Sequence, residues 1–347
     1  MTAIAPRAAV RIGRWSVRVD GRALAVGATL IAAIAAIAIA AVMMGDYPMT
    51  VGQTLAALFG VGDDELARYF VQDQRLPRVV AAVLVGAALA ISGGVFQQLT
   101  ANPLGSPDVI GFTIGAATGA LIQIVLFDAG PAATALGATM GGFGTALVVY
   151  LLAWRKGLAG FRLVLVGIGV AAVLQGVNSL LVVRASLSAA QSAAQWLAGS
   201  FNATTWNEVA LTAVGVGVFA VAAFALGRPL ELMTMGDDIA AGLGIRVERT
   251  RLALVVVGVA LVSIATAAAG PIAFVALAAP QLARRLTGSS AAGLVTSALM
   301  GAVLVLASDL AAQRLFAPAQ LPVGVVTGSL GGVYLIWALA REGRRRP

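Results

Sequence analysis

RLPRVVAAVLVGAALAISGGVFQQLTANPLGSPDVIGFTIGAAT, residues Arg75–Thr118, is the stretch whose reading decides the fold. It reads as two apolar spans hinged on a short polar loop. Arg75–Gln98 is long enough to cross a bilayer, which takes roughly 20 apolar residues as a helix. In the loop TANPLGSPD, Pro103 and Pro107 deny a continuous helix and push the residue before each towards extended backbone. Val109–Phe127 then runs apolar again. Gly111, Gly115 and Gly119 recur on one helix face, and Gly86, Ala90 and Gly94 repeat the device in the first span. Small residues so spaced let membrane helices approach closely, in any polytopic protein. The basic start RLPR joined to a proline-stiffened loop is the more particular feature.

The rest of the chain agrees with a membrane reading. Of its 347 residues, 60% are hydrophobic and 11% charged, where a soluble domain carries about 25% charge. There is no cysteine and no histidine. That excludes a disulfide framework, a thiolate metal site, the commonest metal ligand and the usual proton shuttle. No G-x-x-x-x-G-K-[ST] loop occurs and Lys156 is the only lysine, so the chain does not itself hydrolyse ATP. No His/Asp/Ser constellation supports an intramembrane enzyme. An ion-coupled secondary transporter needs titratable or sodium-binding groups within its spans. Here Asp309 is the one acid well inside an apolar run. With Arg314 five residues on, it reads as an acid near the outer end of its helix, paired with an arginine.

Taken in order, the spans are Ala23–Met44, Arg75–Gln98, Val109–Phe127, Pro131–Trp154, Phe161–Val183, Glu208–Leu226, Ala291–Gln313 and Leu321–Ala340, with Leu252–Ala283 crossing twice. Ala23–Met44 is too long for the apolar core of a signal peptide. Leu252–Ala283 is long for one span and short for two, and Gly270-Pro271 breaks it in the middle. Arg184–Asn207 is amphipathic and suits a short helix on the outer surface, and Gly227–Arg251 is the largest inward loop. The expectation is an all-α polytopic protein of ten transmembrane helices with both termini cytoplasmic: a basic N-tail at 1–22, one permease domain at 23–340 and a basic tail at 341–347. The net charge of +8 fits that orientation and needs no nucleic-acid partner. Five basic residues fall in the N-tail, three at 155–162, four at 228–251, two at 284–285 and four in the C-tail, so that 18 of 23 are inside. Arg68, Arg75, Arg78, Arg184 and Arg314 remain outside.

Further stretches are LAWRKGLAGFRLVLVGIGV, LELMTMGDDIAAGLGIRVERTR, AGPIAFVALAAPQLARRLTG and QLPVGVVTGSLGGVYLIWAL. Together with RLPR and NPLGSPD, in this order, they resemble the permease subunits of bacterial ABC importers for iron chelates and vitamin B12, the FecCD family. The resemblance runs from about Arg75 to the C-terminus and is nearest the ferric enterobactin branch. It implies a permease of the bacterial cytoplasmic membrane that moves a ferric siderophore, a ferric catecholate, with vitamin B12 or heme as the other cargoes. The chain itself would bind no cofactor; ATP and Mg would sit on two cytoplasmic ABC ATPases. The other implied partners are an extracytoplasmic siderophore-binding protein, a paralogous permease of the FepD type in a heterodimer, with a homodimer as the alternative, and membrane lipid. Iron would arrive already chelated.

The resemblance also implies roles for particular residues. Arg75, Arg78 and Arg314 would meet acidic residues of the binding protein; by spacing alone they suit snorkelling at the membrane interface equally. Met235, Gly236, Asp237, Asp238, Ala241, Leu243 and Gly244 would belong to the coupling helix that seats on the ATPase. By residue type, Asp237 or Asp238 can cap a short helix there and Gly242 and Gly244 can end it. Asn102 and Leu104 would lie at the inner gate. Gln175 and Asn178, three residues apart on one helix face, suit either an interhelical hydrogen bond or the wall of the pathway. One departure is Gln281, where the family motif P-H-I-A-R-R has histidine, which removes a titratable group and leaves packing intact.

Overall fold

The computed structural model describes residues 9–12, 15–18, 20–45, 47, 49–61, 64–154, 160–288, 293–315, 317 and 319–343. The tails at 1–8 and 344–347 and the loop residues Arg155 and Lys156 lie outside the described residues, so the readings made for them stay with the sequence. Ala9–Ile12 and Trp15–Arg18 pair as an antiparallel hairpin with Ala9 opposite Arg18.

Asp20 opens α1 (Gly21–Met43), its Oδ1 accepting the Arg22 N–H at 3.0 Å. A Thr50/Gln53 capping box opens α2 (Val51–Leu58). Next, α3 (Glu65–Tyr69), a π-helical stretch at Phe70–Arg75 and α4 (Leu76–Leu99) form one helix of 35 residues. The first organising span therefore starts ten residues before Arg75, at a cap made by Asp64, whose Oδ1 accepts the Ala67 N–H at 2.9 Å. Pro77 explains the wide turns. It has no N–H to continue the ladder, and the carbonyl left over in the π register, that of Gln72, is taken at 2.8 Å by the indole N–H of Trp206.

The second span also differs from its reading. Ser106 caps a single turn, α5 (Pro107–Ile110); Gly111 turns left-handed at φ 93°, and only then does α6 (Phe112–Phe127) begin. Gly111 thus leaves the face it was expected to share with Gly115 and Gly119. Those two pack against backbone of α7 (Pro131–Ala153) at Gly141 and Gly137, whereas Gly111 lies on Gly167 and Ala171 of α8 (Gly160–Arg184).

The amphipathic stretch forms α9 (Leu187–Leu197), capped by Ser186, followed by α10 (Trp206–Ala225), α11 (Gly227–Met233) and α12 (Asp237–Gly242). The long apolar run divides where its glycine and proline predict. The first part, α13 (Val247–Ala269), ends at Gly270, the backbone stays irregular to Phe274, and α14 (Val275–Thr287) returns. Last come α15 (Leu294–Arg314) and α16 (Val323–Gly343).

At the centre stands α4, with α13, α14 and α15 around it. Of the most apolar 18-residue window within 65–99, 78% is buried; for the corresponding window of α8 the share is 11%. Gly86 of α4 and Gly301 of α15 meet backbone to backbone, so a Cβ on either would run into the other's carbonyl. Among the described residues, seven helices are long and apolar enough to cross a membrane: α1, Glu65–Leu99, α7, α8, α10, α13 and α15. α6 and the Val323–Tyr334 part of α16 are shorter apolar helices.

Candidate functional site

Charged and polar side chains gather at the two ends of this bundle. At one end a cavity of ≈480 Å³ opens between the C-terminus of α1, the π stretch, the start of α4, the segment 201–205 and the end of α15. Arg75, Arg78 and Arg314 all line it, so the two arginines of RLPR meet one from the far end of the sequence. Arg75 caps α1: its Nη1 donates to the Val42 carbonyl at 2.8 Å and its Nη2 to Tyr47 O at 3.0 Å, while the guanidinium sits 5.9 Å from the Phe70 ring centre.

Arg78 is engaged differently. Its Nε and Nη2 donate to the two carboxylate oxygens of Asp309, each at 2.8 Å, and its Nη1 donates to Asn202 Oδ1 at 2.6 Å. Gln313 Nε2 adds a bond to Asp309 Oδ2 at 2.8 Å. The Asp309 side chain is 2% exposed and that of Arg78 14%. Asp309 is thus paired with an arginine, but the partner comes from α4 and is not Arg314. A residue five positions on lies well round the helix from Asp309, whereas Gln313 at four positions shares its face.

At the opposite end, α14 carries Pro280 inside it. Proline has no N–H for the Ala276 carbonyl. Gln97 of α4 answers this with its side-chain amide, which donates to Leu277 O at 2.9 Å and Ala276 O at 3.4 Å. Arg284 Nη2 donates in turn to Gln97 Oε1 at 2.6 Å. Gln281 donates from Nε2 to Pro103 O at 2.8 Å and accepts from the Tyr334 hydroxyl at 3.3 Å, joining the α4–α5 loop, α14 and α16. Within that loop Asn102 Oδ1 accepts the Leu104 N–H at 2.9 Å, a local Asx turn, and the Leu104 side chain is exposed. Burial pushes the Asp108 carboxyl up, against the opposing bonds from the Thr113 hydroxyl and the Phe274 backbone.

Also at this end, α11 and α12 project from α10 and α13. Met235–Ile239 and Ala241–Gly244 are exposed, and α12 is fixed through buried Ala240. Its N-cap is Gly236, at φ 113°, and neither aspartate caps the helix. Asp238 stays exposed in the first turn; Asp237 Oδ1 and Oδ2 accept from Arg251 Nη2 at 2.7 and 2.8 Å, lashing α12 to α13. The C-terminus closes with the Gly244 N–H on Ala241 O at 2.9 Å and the Ile245 N–H on Ala240 O at 3.0 Å. With Gly244 at φ 87°, this double bond makes a Schellman stop.

Gln175 and Asn178 separate on α8. The first is exposed; the second is 5% exposed, and its Oδ1 has no hydrogen-bond partner among the described residues.

A helical bundle with a cationic cavity at one end and a rigid, exposed helical hook at the other has clear relatives. The model of the FecCD transport family matches residues 31–341. The chain belongs to that family. It is 49% identical over 302 residues to the ferric enterobactin transport system permease protein FepG of Escherichia coli, covering 87% of this chain and 91% of the relative. It is 36% identical to the achromobactin transport system permease protein CbrC of Dickeya dadantii, over 96% of each chain. The solved structure of an inward-facing ABC transporter assigned to the metal-chelate type superposes with a TM-score of 0.82 at 26% identity, covering 92% of this chain and 99% of the other. Seven helices able to span and family membership along most of its length make this FecCD protein an integral membrane protein.

Among the contributors to these sites that were missed in the sequence are Gln97, Asn202 and Trp206. Each acts on a group more than 100 residues away, so spacing carries no sign of it. Only Pro280 offered a clue, since a proline inside a helix frees a carbonyl that some neighbour has to satisfy.

Proposed function

We propose that this chain is the permease subunit of an ATP-driven importer that carries a ferric siderophore, a ferric catecholate, across the bacterial cytoplasmic membrane. The observation that carries this reading is the 49% identity with the ferric enterobactin permease across nearly the whole chain. In it the bundle spans ten times: seven long helices, α6, α14 and α16. Both termini then face the cytoplasm, as the distribution of arginines favours. The arginine-lined cavity faces outward and receives acidic residues of the siderophore-binding protein, which charge complementarity would steer and orient. The projecting α11–α12 segment faces inward. Met235, Gly236, Asp237, Asp238, Ala241, Leu243 and Gly244 form the surface that a cytoplasmic ABC ATPase grips. Its two glycine-defined ends and the Asp237–Arg251 strut make it a rigid lever on α13.

A second permease of the FepD type would pair along the sparsely buried α8 and its neighbours, and the ferric chelate would pass between the two. Asn102 and Leu104 would stand at the inner mouth of that path. Gln175 and Asn178, whose Oδ1 has no hydrogen-bond partner among the described residues, would present amides towards it, suited to an oxygen-rich chelate. Iron stays chelated cargo, and ATP with Mg belongs to the ATPases. The experiment is uptake of radiolabelled ferric enterobactin, heme and cobalamin by cells lacking only this subunit. Loss of the ferric catecholate alone is expected. Loss of heme or cobalamin with siderophore uptake intact would overturn the cargo.

A further inference from the structure

We propose that Arg78 is a positioning residue of the outer cavity, held by Asp309 as an internal strut, and is not itself a contact for the docked partner. The inference rests on the docking reading above and divides its three arginines. Arg78 places one N–H from each of its three nitrogens, two on Asp309 and one on Asn202. The pairing with Asp309 is fork to fork, the strongest geometry available to a guanidinium and a carboxylate. Gln313 fixes the carboxylate from a second side. An incoming carboxylate that took Arg78 for itself would strand the Asp309 charge at 2% exposure, which is the costly way to break a buried pair.

The strut also leads somewhere. Asn202 accepts from Arg78, its own N–H donates to Ser200 Oγ at 3.1 Å, and the Ser200 N–H donates to Ala269 O at 2.8 Å. Ala269 is the last residue of α13 before the Gly270 break. One hydrogen-bonded chain therefore runs from α15 through Arg78 to the joint between α13 and α14. Arg75 donates instead to carbonyls of α1 and of the loop after it.

The test measures affinity of the extracytoplasmic siderophore-binding protein for the purified whole importer in lipid nanodiscs. Measurements at about 20 and about 200 mM salt bracket strong and weak screening. The pair R78Q/D309N keeps polar side chains in place while removing both charges, and is expected to bind within about twofold of wild type with the same salt dependence, because it leaves the cavity's net charge unchanged. R75Q/R314Q removes charge that is not part of the strut; it is expected to bind about tenfold more weakly at low salt, with a flattened salt dependence. D309N alone leaves the Arg78 charge without its counter-ion, and binding of an acidic partner at low salt should tighten about threefold. A residue that merely held the fold would not produce that gain. If D309N does not assemble, the neutral pair still decides. R78Q/D309N weakening and flattening as R75Q/R314Q does would overturn the inference while leaving docking in place. R75Q/R314Q binding like wild type would bring down the docking reading and the inference with it.

Discussion

The arginine-lined cavity and the α11–α12 segment are both charged ends of the same bundle, yet they handle their residues in opposite ways. In the cavity the chain satisfies itself: Arg78, Asp309, Asn202 and Gln313 bond one another, and Arg75 closes the end of α1. At α12 the chain fixes the backbone and leaves the side chains open. Met235, Ile239 and Leu243 are half or more exposed, and a Cβ on Gly236, Gly242 or Gly244 would meet nothing within 4 Å. On the reading proposed above, the rigid but unpacked surface is where a partner would seat, and the packed and paired cluster belongs to the bundle that partner would move.

The largest effect should fall where the pairing is tightest. Arg78→Ala leaves the Asp309 carboxylate buried without its counter-ion, and removing one partner of a buried pair typically costs about 3–5 kcal/mol. Thermal unfolding in detergent should show it, and R78M/D309L, apolar on both sides, should recover most of the loss. Stability of Arg78→Ala within about 1 kcal/mol of wild type, the level of an exposed pair, would erase the contrast between the two ends.

At α12 the expectation reverses, with stability kept and function lost. Gly242→Trp projects a large side chain into space its own chain does not use. Uptake should fall about tenfold, the equivalent of ~1.4 kcal/mol of lost coupling, while unfolding is unchanged and ATP hydrolysis by the assembled complex persists. Wild-type uptake would mean that α12 is only a connector between α11 and α13.

Much of this architecture is local chemistry, which is why it was legible. Apolar runs must be helical in a bilayer, and Pro103, Pro107 and Gly270-Pro271 mark their own interruptions. The misreadings share a cause as well. The helix leading into α4 begins at Glu65 because Pro77 is absorbed by π turns and Trp206, a tertiary remedy that residue type alone hides. Gly111 sits on the spacing of Gly115 and Gly119, but a left-handed φ takes it out of their helix. The cap of α12 went to Gly236 because Arg251 holds Asp237. Arg78 and Asp309 are 231 residues apart, and a partner at that distance is invisible to any periodicity.

The smallest effect tests whether the α14 end of the bundle contains a milder version of the Arg78–Asp309 strut. Gln281 joins Pro103 to Tyr334, but nothing in that triad is ionised and Pro103 is an exposed residue, where water replaces a lost donor cheaply. Gln281→Leu should therefore cost no more than about 1 kcal/mol, the ordinary net worth of a hydrogen bond. Its place suggests the readout. The Leu104 and Gly105 amides are held by Asn102 inside the loop that Gln281 anchors, and local opening of that loop exposes them to exchange. Hydrogen exchange at those two amides should quicken about fivefold in Gln281→Leu, matching that ~1 kcal/mol. Tyr334→Phe removes only the longer bond, at 3.3 Å, and should change exchange by less than about twofold, since bonds weaken with length. Equal acceleration in both variants would show that the loop is held through α16, making this end a three-element clamp. No acceleration in either would show that the Gln281 triad fastens nothing, and the two ends would differ more sharply still.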